Sequence, residues 1–291
     1  MNIQKWLTKN THSLLGKTVV ITGATGGLGR ELSRYVVMLG ANLVTVDRNE
    51  ARSIALEKEL TAEFHDAKII RILADMDDFD SVKLTCEQLK HMPIDYLVLN
   101  AAAYSIPRKK CKTGYDNVFQ INFVSPYYIT RELMPLLIER KGKVIAVGSI
   151  AHNYSKTDPD DIDFSARSRS NLVYGNSKRY LMFSLLELMK SKNEMLSVVH
   201  PGITFTNITS HYPPIIFAII KHPMKLIFMK PKKAALSILK GFFDHTEGYS
   251  WIGPKLFNIW GYPLKKTLKT ATNSEIDRIY QTAESIYIKL K

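Results

Sequence analysis

The chain predicts an α/β fold, a Rossmann-type doubly wound parallel sheet of about seven strands flanked by helices. Three observations predict it. Short apolar, β-branched runs near 17–22, 42–47, 68–73, 95–99, 143–148 and 195–200 alternate with longer stretches of helical spacing, the mark of strand–helix–strand units. A glycine-rich segment, Gly23 to Gly29, joins the first run to the first helical stretch. Far downstream, Tyr174 and Lys178 stand four residues apart, which puts a phenol and an ammonium on one face of a helix.

The elements can be justified in order. Lys17-Thr-Val-Val-Ile-Thr22 lies between Gly16 and Gly23 and reads as a strand buried on both faces. Leu28, Leu32, Tyr35, Val36 and Leu39 then recur at helical spacing, and Gly40 ends that helix. The glycines therefore sit at a strand-to-helix turn, where a pyrophosphate can rest on amide donors at a helix N-terminus. Gly23 permits the tight turn, Gly27 lets the backbone approach the phosphates, and Gly29 allows close helix–strand packing.

The second strand, Ala41 to Asp47, ends in an acid placed to accept hydrogen bonds from the adenosine ribose. A 2′-phosphate there would meet like charge, which favours NAD. Arg48 follows directly and suits a phosphate, so NADP stays open. The run near Tyr249-Ser-Trp-Ile252 is expected to add a seventh strand.

At this point the sequence resembles the short-chain dehydrogenase/reductase family. Thr22-Gly-Ala-Thr-Gly-Gly-Leu-Gly29 fits its T-G-x-x-x-G-x-G loop, which implies cofactor contacts at Gly23, Thr25, Gly27, Leu28 and Gly29, with Asp47 and Arg48 beside them. Asp75 and Met76 resemble the third-strand end that contacts adenine. Asn100, Ala101 and Ala102 resemble the family's N-N-A-G segment, with Leu99 for its first Asn and Ala102 for its Gly. Pro201, Gly202, Thr204 and Thr206 lie in a segment resembling the P-G-x-x-x-T that closes over nicotinamide. Asn122, Ser149, Tyr174 and Lys178 match the family's catalytic tetrad in order, and the likeness runs from about residue 15 to beyond 250.

The chemistry follows from the residue types. Reduction of a carbonyl needs hydride from nicotinamide and a proton for the oxygen, and oxidation runs this backward. A free phenol titrates near 10. Lys178, one turn on, and the positive nicotinamide ring would stabilise a Tyr174 phenolate. Ser149 would hydrogen-bond the substrate oxygen. The resemblance implies that Lys178 also holds the nicotinamide ribose and that Asn122 holds a water in the proton relay.

Two segments remain. The long polar stretch from Ile150 to Phe164 resembles the retinol-dehydrogenase-like and protochlorophyllide-reductase-like branches, and His152 and Tyr154 are candidates to face substrate or to pack within the loop. Asp158, Asp160, Asp161 and Asp163 lack the glycine and distal Glu of a calcium loop, so a solvated turn and no metal is expected. Around 207–232 an apolar stretch interrupted by lysines is expected to form a lid over a lipophilic alcohol or carbonyl substrate.

Lys221, Pro223 and Lys225 break that stretch short of the roughly 18–20 residues that span a bilayer. From Lys221 to Lys269 ten lysines face only Asp244 and Glu247, much of the net charge of +13. Such a patch suits peripheral contact with an anionic membrane. No nucleic-acid motif accompanies it, and no nucleic-acid partner is expected. Two cysteines, Cys86 and Cys111, and a polar N-terminus suggest a cytoplasmic chain of one domain over residues 1–291, open to homo-oligomer formation.

Three functions stand beside the preferred NAD-linked oxidoreductase. They are an NADPH-dependent carbonyl reductase of the same fold, a nucleotide-binding regulatory protein whose tetrad is a relic, and a sugar-nucleotide epimerase or dehydratase. The Pro-Gly-x-x-x-Thr segment points away from the last.

Overall fold

In a computed structural model, residues 2–204 and 228–291 are described. Eight strands form one sheet in the order β3-β2-β1-β4-β5-β6-β7-β8. They are β1 (Thr18–Thr22), β2 (Asn42–Asp47), β3 (Ile69–Leu73), β4 (Tyr96–Leu99), β5 (Lys143–Val147), β6 (Leu196–Val199), β7 (Ser250–Leu256) and β8 (Trp260–Thr267). The first seven pair in parallel, with Val20 opposite Val44 and Leu97, and β8 returns antiparallel on β7. The expected runs fall on strands. The eighth is additional to the seven expected, and its composition explains the miss. It carries Gly261 and Pro263, and of its residues only Pro263 is buried, as suits an edge strand.

Along the central strands alternate side chains enter two cores. Val20, Leu97, Leu99, Val144 and Ala146 face one side, whereas Val19, Ile21, Val98, Ile145 and Val147 face the other. Each such buried aliphatic contributes about 1.5–3 kcal/mol. On the first side pack α4 (Phe79–Lys90), α6 (Ser125–Glu139), α7 (Ser170–Leu188) and α9 (Asn273–Leu290). On the second pack α1 (Ile3–Asn10), α2 (Gly27–Met38), α3 (Glu50–Glu63) and α8 (Pro231–Phe243). A short helix, α5 (Asn117–Phe119), runs through a π-helical turn at Gln120–Val124 into α6.

Right-handed crossovers of this kind leave a crevice at the carboxyl ends of the parallel strands, where the strand order reverses between β1 and β4. Among the described residues no helix is long and apolar enough to cross a membrane. Of the expected lid, only residues 228–232 lie within the described residues. Thr206 lies outside them.

Candidate nucleotide cleft and acid–base site

The turn after β1 is built as its glycines demand. Gly23 has φ +68°, and a Cβ there would stand 2.9 Å from the Ala101 Cα. At Gly29 a Cβ would lie 2.2 Å from the Gly23 carbonyl oxygen, so α2 can approach the strand only without a side chain. Helix α2 begins at Gly27 with Gly26 as its cap, and no side chain caps it, which leaves its first amides available to an anion.

Around this turn lies a cleft of about 600 Å³. Gly23, Thr25, Gly27, Leu28, Gly29, Asp47, Arg48, Asp75, Met76, Asn100, Ala101 and Ala102, for which the sequence implied cofactor contacts, all line it. Pro201, Gly202 and Thr204 do not. They follow β6, where Gly202 has φ +83° and Thr204 bridges to Met229. Asn100 braces the turn, donating its side-chain amide to the carbonyls of Thr22 and Gly23 at 3.0 and 2.9 Å.

The carboxylate at the end of β2 is half satisfied. Thr25 donates to Asp47 Oδ1 from both its amide (2.9 Å) and its hydroxyl (2.8 Å). Asp47 Oδ2 is buried with no partner, and burial raises the carboxyl pKa despite Thr25. A buried acceptor left unpaired is costly, and a ribose hydroxyl would supply the missing donor. The residues therefore fit a dinucleotide. Exposed Arg48 and Arg52 line the same cleft and suit a 2′-phosphate equally, so the fit covers NAD and NADP alike.

The tetrad residues gather beyond Tyr104. Ser149 caps a short 3-10 turn after β5, accepting from the Ala151 amide at 3.2 Å. Its hydroxyl opposes the effect of burial on the Tyr174 phenol, which is pushed up to about 12. Lys178 lies on the same face of α7, with Nζ 5.9 Å from the Tyr174 ring, and donates to the Val147 carbonyl at 2.9 Å. Burial brings its pKa down to about 7. Within the chain, then, the phenol is harder to ionise than the sequence reasoning allowed, and Lys178 is easier to neutralise.

Asn122 occupies the π-helical turn, not a regular helix. Its Oδ1 accepts from the Ala103 amide, while Nδ2 donates to the Ala103 carbonyl and to Ser177 Oγ. It pins the loop after β4 to the helix that carries Tyr174.

Of the loop candidates, Tyr154 is exposed beside Tyr174, whereas His152 is fully buried against Trp251 and Phe183 and cannot face substrate. The solvated turn expected of the aspartates holds only in part: Asp160 is exposed and Arg167 pairs with Asp158 and Asp161, but Asp163 is buried and accepts from the Asp116 and Ser165 amides. Among the described residues no cluster suited to a metal ion occurs. A second hollow of about 670 Å³, between residues 108–116 and 160–168, is lined by Arg108, Arg167 and aspartates that pair with one another.

Sequence reasoning missed Tyr104, Ile106, Ile121 and Arg52 in the cleft wall. Arg52 was within reach, since it stands four residues after Arg48, in the first turn of α3. Tyr104 carries no local signal, yet its ring meets that of Tyr174 edge-on at 5.2 Å.

A parallel sheet with this cleft at its switch point defines a Rossmann-type nucleotide-binding protein. Residues 17–158 match the short chain dehydrogenase family. WW domain-containing oxidoreductase of Homo sapiens is 31% identical over 210 residues, which cover 66% of this chain and 50% of that protein. Retinol dehydrogenase 14 of Homo sapiens is 29% identical over 216 residues, covering 67% and 64%. The chain thus spans about half the length of the first of these relatives. Both names agree with the retinol-dehydrogenase-like branch. The solved structure of an uncharacterised protein from Mycobacterium paratuberculosis shares the fold, with a TM-score of 0.73 over 96% of both chains at 20% identity.

Proposed function

We propose that the chain is a single oxidoreductase domain that uses NAD(P) to interconvert an alcohol and a carbonyl on a lipophilic small molecule. The observation that carries this reading is the contact between Tyr104, which lines the nucleotide cleft, and Tyr174. It makes the cleft and the acid–base pair one site.

Bound NAD(P) supplies the hydride donor or acceptor, and the positive charge of its oxidised ring favours phenolate. The chain's residues do the rest. Ser149 orients the substrate oxygen, and Tyr174 takes the proton from an alcohol or returns it to a carbonyl. Lys178, held by the Val147 carbonyl, would have its remaining hydrogens to offer the ribose and the phenol. Asn122 keeps the loop after β4 against α7 and retains one lone pair for the relay water. Gly23 to Gly29, Asp47, Asp75, Met76 and the 100–102 segment would hold the nucleotide.

Support for a lipophilic substrate comes from the apolar 207–232 stretch and the likeness to retinol dehydrogenase 14. The lysines of that region extend the proposal to peripheral contact with anionic lipid. Co-sedimentation with phosphatidylserine vesicles at low salt checks it, and a protein left in the supernatant rejects it.

The acid–base assignment is tested by Tyr174→Phe. The variant should bind cofactor as the parent does, yet lose about 10²- to 10⁴-fold in turnover of an alcohol panel. Turnover kept within a few-fold would remove Tyr174 from the chemistry.

A further inference from the structure

Arg179 follows Lys178 and faces the other way, into the protein, where it is 2% exposed. Its guanidinium grips two distant segments at once. Nε and Nη2 donate to the two carboxylate oxygens of Glu275 at 2.8 and 2.7 Å, at the start of α9. Nη1 donates to the His152 carbonyl at 3.0 Å, and Nη2 also reaches the Thr270 carbonyl at 2.5 Å. Glu275 Oε1 accepts in turn from the amide and hydroxyl of Thr157.

His152 continues the chain of contacts to the reacting side. Its Nδ1 lies 2.6 Å from the Ser149 carbonyl, and its Nε2 lies 2.9 Å from Thr270 Oγ1. Burial brings its pKa down to about 4, so the ring is neutral at physiological pH. A carbonyl can only accept, so Nδ1 carries the hydrogen and Nε2 accepts from the threonine. One tautomer, and with it one ring orientation, is fixed. The turn it stabilises also presses on α7: a Cβ at Gly175, next to Tyr174, would stand 2.3 Å from the Ala151 carbonyl oxygen.

We propose that Arg179, Glu275 and His152 are positioning residues that hold Ser149 against Tyr174. The inference rests on the acid–base reading above and adds a function for the start of the C-terminal helix. A role in stability alone is the competing explanation. Buried ion pairs are weak stabilisers, and apolar side chains of similar volume replace them at little loss. Such residues could not direct four hydrogen bonds at the Ser149–Thr157 segment and at Thr270.

The consequence is chemical. Tyr174 is faced by Lys178 on its own helix, by Tyr104 from the loop after β4, and by Ser149 and Tyr154 from the segment after β5. Of these, Ser149 holds the phenol's pKa down while the other two tyrosines push it up. If Ser149 drifts, ionisation of Tyr174 moves to higher pH. The loss of one hydrogen bond corresponds to about 0.5–1 unit.

The decisive variant is the double Arg179→Met, Glu275→Met, with Arg179→Lys as the second. Arg179→Lys keeps the charge but not the fork. Tyr174 ionisation is read in the NAD complex as the tyrosinate absorbance that Tyr174→Phe lacks, and turnover is read with decanol. Tyr287→Phe, which loosens α9 where Tyr287 donates to Glu132, is the control for stability alone. The double variant is expected to fold, with a lower Tm because the His152 and Thr270 carbonyls and Thr157 lose their partners, and to bind NAD as the parent does. Its Tyr174 ionisation should move up by about half a unit or more, and its kcat should fall about tenfold or more. Arg179→Lys should shift both in the same direction, and Tyr287→Phe neither. A folded double variant, or Arg179→Lys if the double does not fold, with the parent's ionisation and kcat overturns the proposal. Should Tyr174→Phe retain turnover, the acid–base reading falls first and the positioning role with it. A dead Tyr174→Phe beside a fully active double variant removes the positioning role alone.

Discussion

The nucleotide half and the proposed catalytic half of this molecule hold their side chains in opposite ways. Around β1 and β2 the site is made from backbone and neighbours: glycines at a turn, an acid at a strand end, and Thr25 bonded to Asp47. Around β5 and α7 it is made from distance. Ser149 depends on His152, which depends on Thr270 and Arg179, which depends on Glu275, 96 residues further on. The two halves also answer acid in opposite senses. Burial raises the Asp47 carboxyl pKa, so acid relieves that strain. In the catalytic half it lowers His152 to about 4 and His200 to about 3, so acid works against the fold there. A site assembled from neighbours tolerates imperfect satisfaction, because a cofactor can complete it. A site assembled across the chain has to be complete before substrate arrives.

Breaking the second arrangement gives the larger expected effect. The folded-state pKa of His152 lies below the unfolded value near 6.5, so the unfolded chain takes up the proton first. The stabilisation is present at neutral pH and is lost as pH falls from about 6.5 toward 4, at roughly 1.4 kcal/mol per unit. His152→Gln should cost stability at pH 7, where a buried hydrogen-bonded ring is removed, by about 1–3 kcal/mol. By pH 5 the gap between parent and variant should close by roughly 2 kcal/mol, as read by urea unfolding at the two pH values. Parallel loss of stability in the two proteins would show that His152 is not held neutral.

How much of this was legible follows the same division. The glycine turn, Asp47, Asn100 and the Tyr174/Lys178 face could be read because each is a short-range pattern whose reason is local. Five strands could be read because parallel strands buried on both faces are continuous apolar runs, and the edge strand β3 could be read from its isoleucines although Ile70 and Leu73 are exposed. β8 escaped because it is an edge, with Pro254 opposite Pro263 and lysines toward solvent. His152 was a candidate to face substrate because nothing within the loop shows that Trp251, Phe183 and Thr270 will surround it. Arg179 drew no notice for the same reason: a charged residue on a helix reads as surface until its partner, Glu275, is brought to it by the fold. The Asn122 amide could be placed near Lys178 by order alone, but its engagement with Ala103 required the π-helical turn.

The smaller effect sharpens the nucleotide half. Asp47 presents one unpaired oxygen, Oδ2, while Arg48 and Arg52 stand exposed at the same wall. If Oδ2 accepts from a ribose hydroxyl, the parent prefers NADH, and Asp47→Asn loses one charge-assisted hydrogen bond, worth about 1.5–3 kcal/mol. The same substitution removes the charge that a 2′-phosphate would meet and leaves the two arginines in place. The ratio of NADH to NADPH affinity should therefore swing toward NADPH by about tenfold or more, measured by calorimetric titration of parent and variant side by side. A parent that already prefers NADPH would mean that Arg48 and Arg52 outweigh the carboxylate. Burial raises the Asp47 carboxyl pKa, so its charge is held less firmly than that of a solvent-exposed aspartate. In that event the carboxylate serves the fold of the turn through Oδ1 and Thr25, and cofactor choice is made at the rim of the cleft.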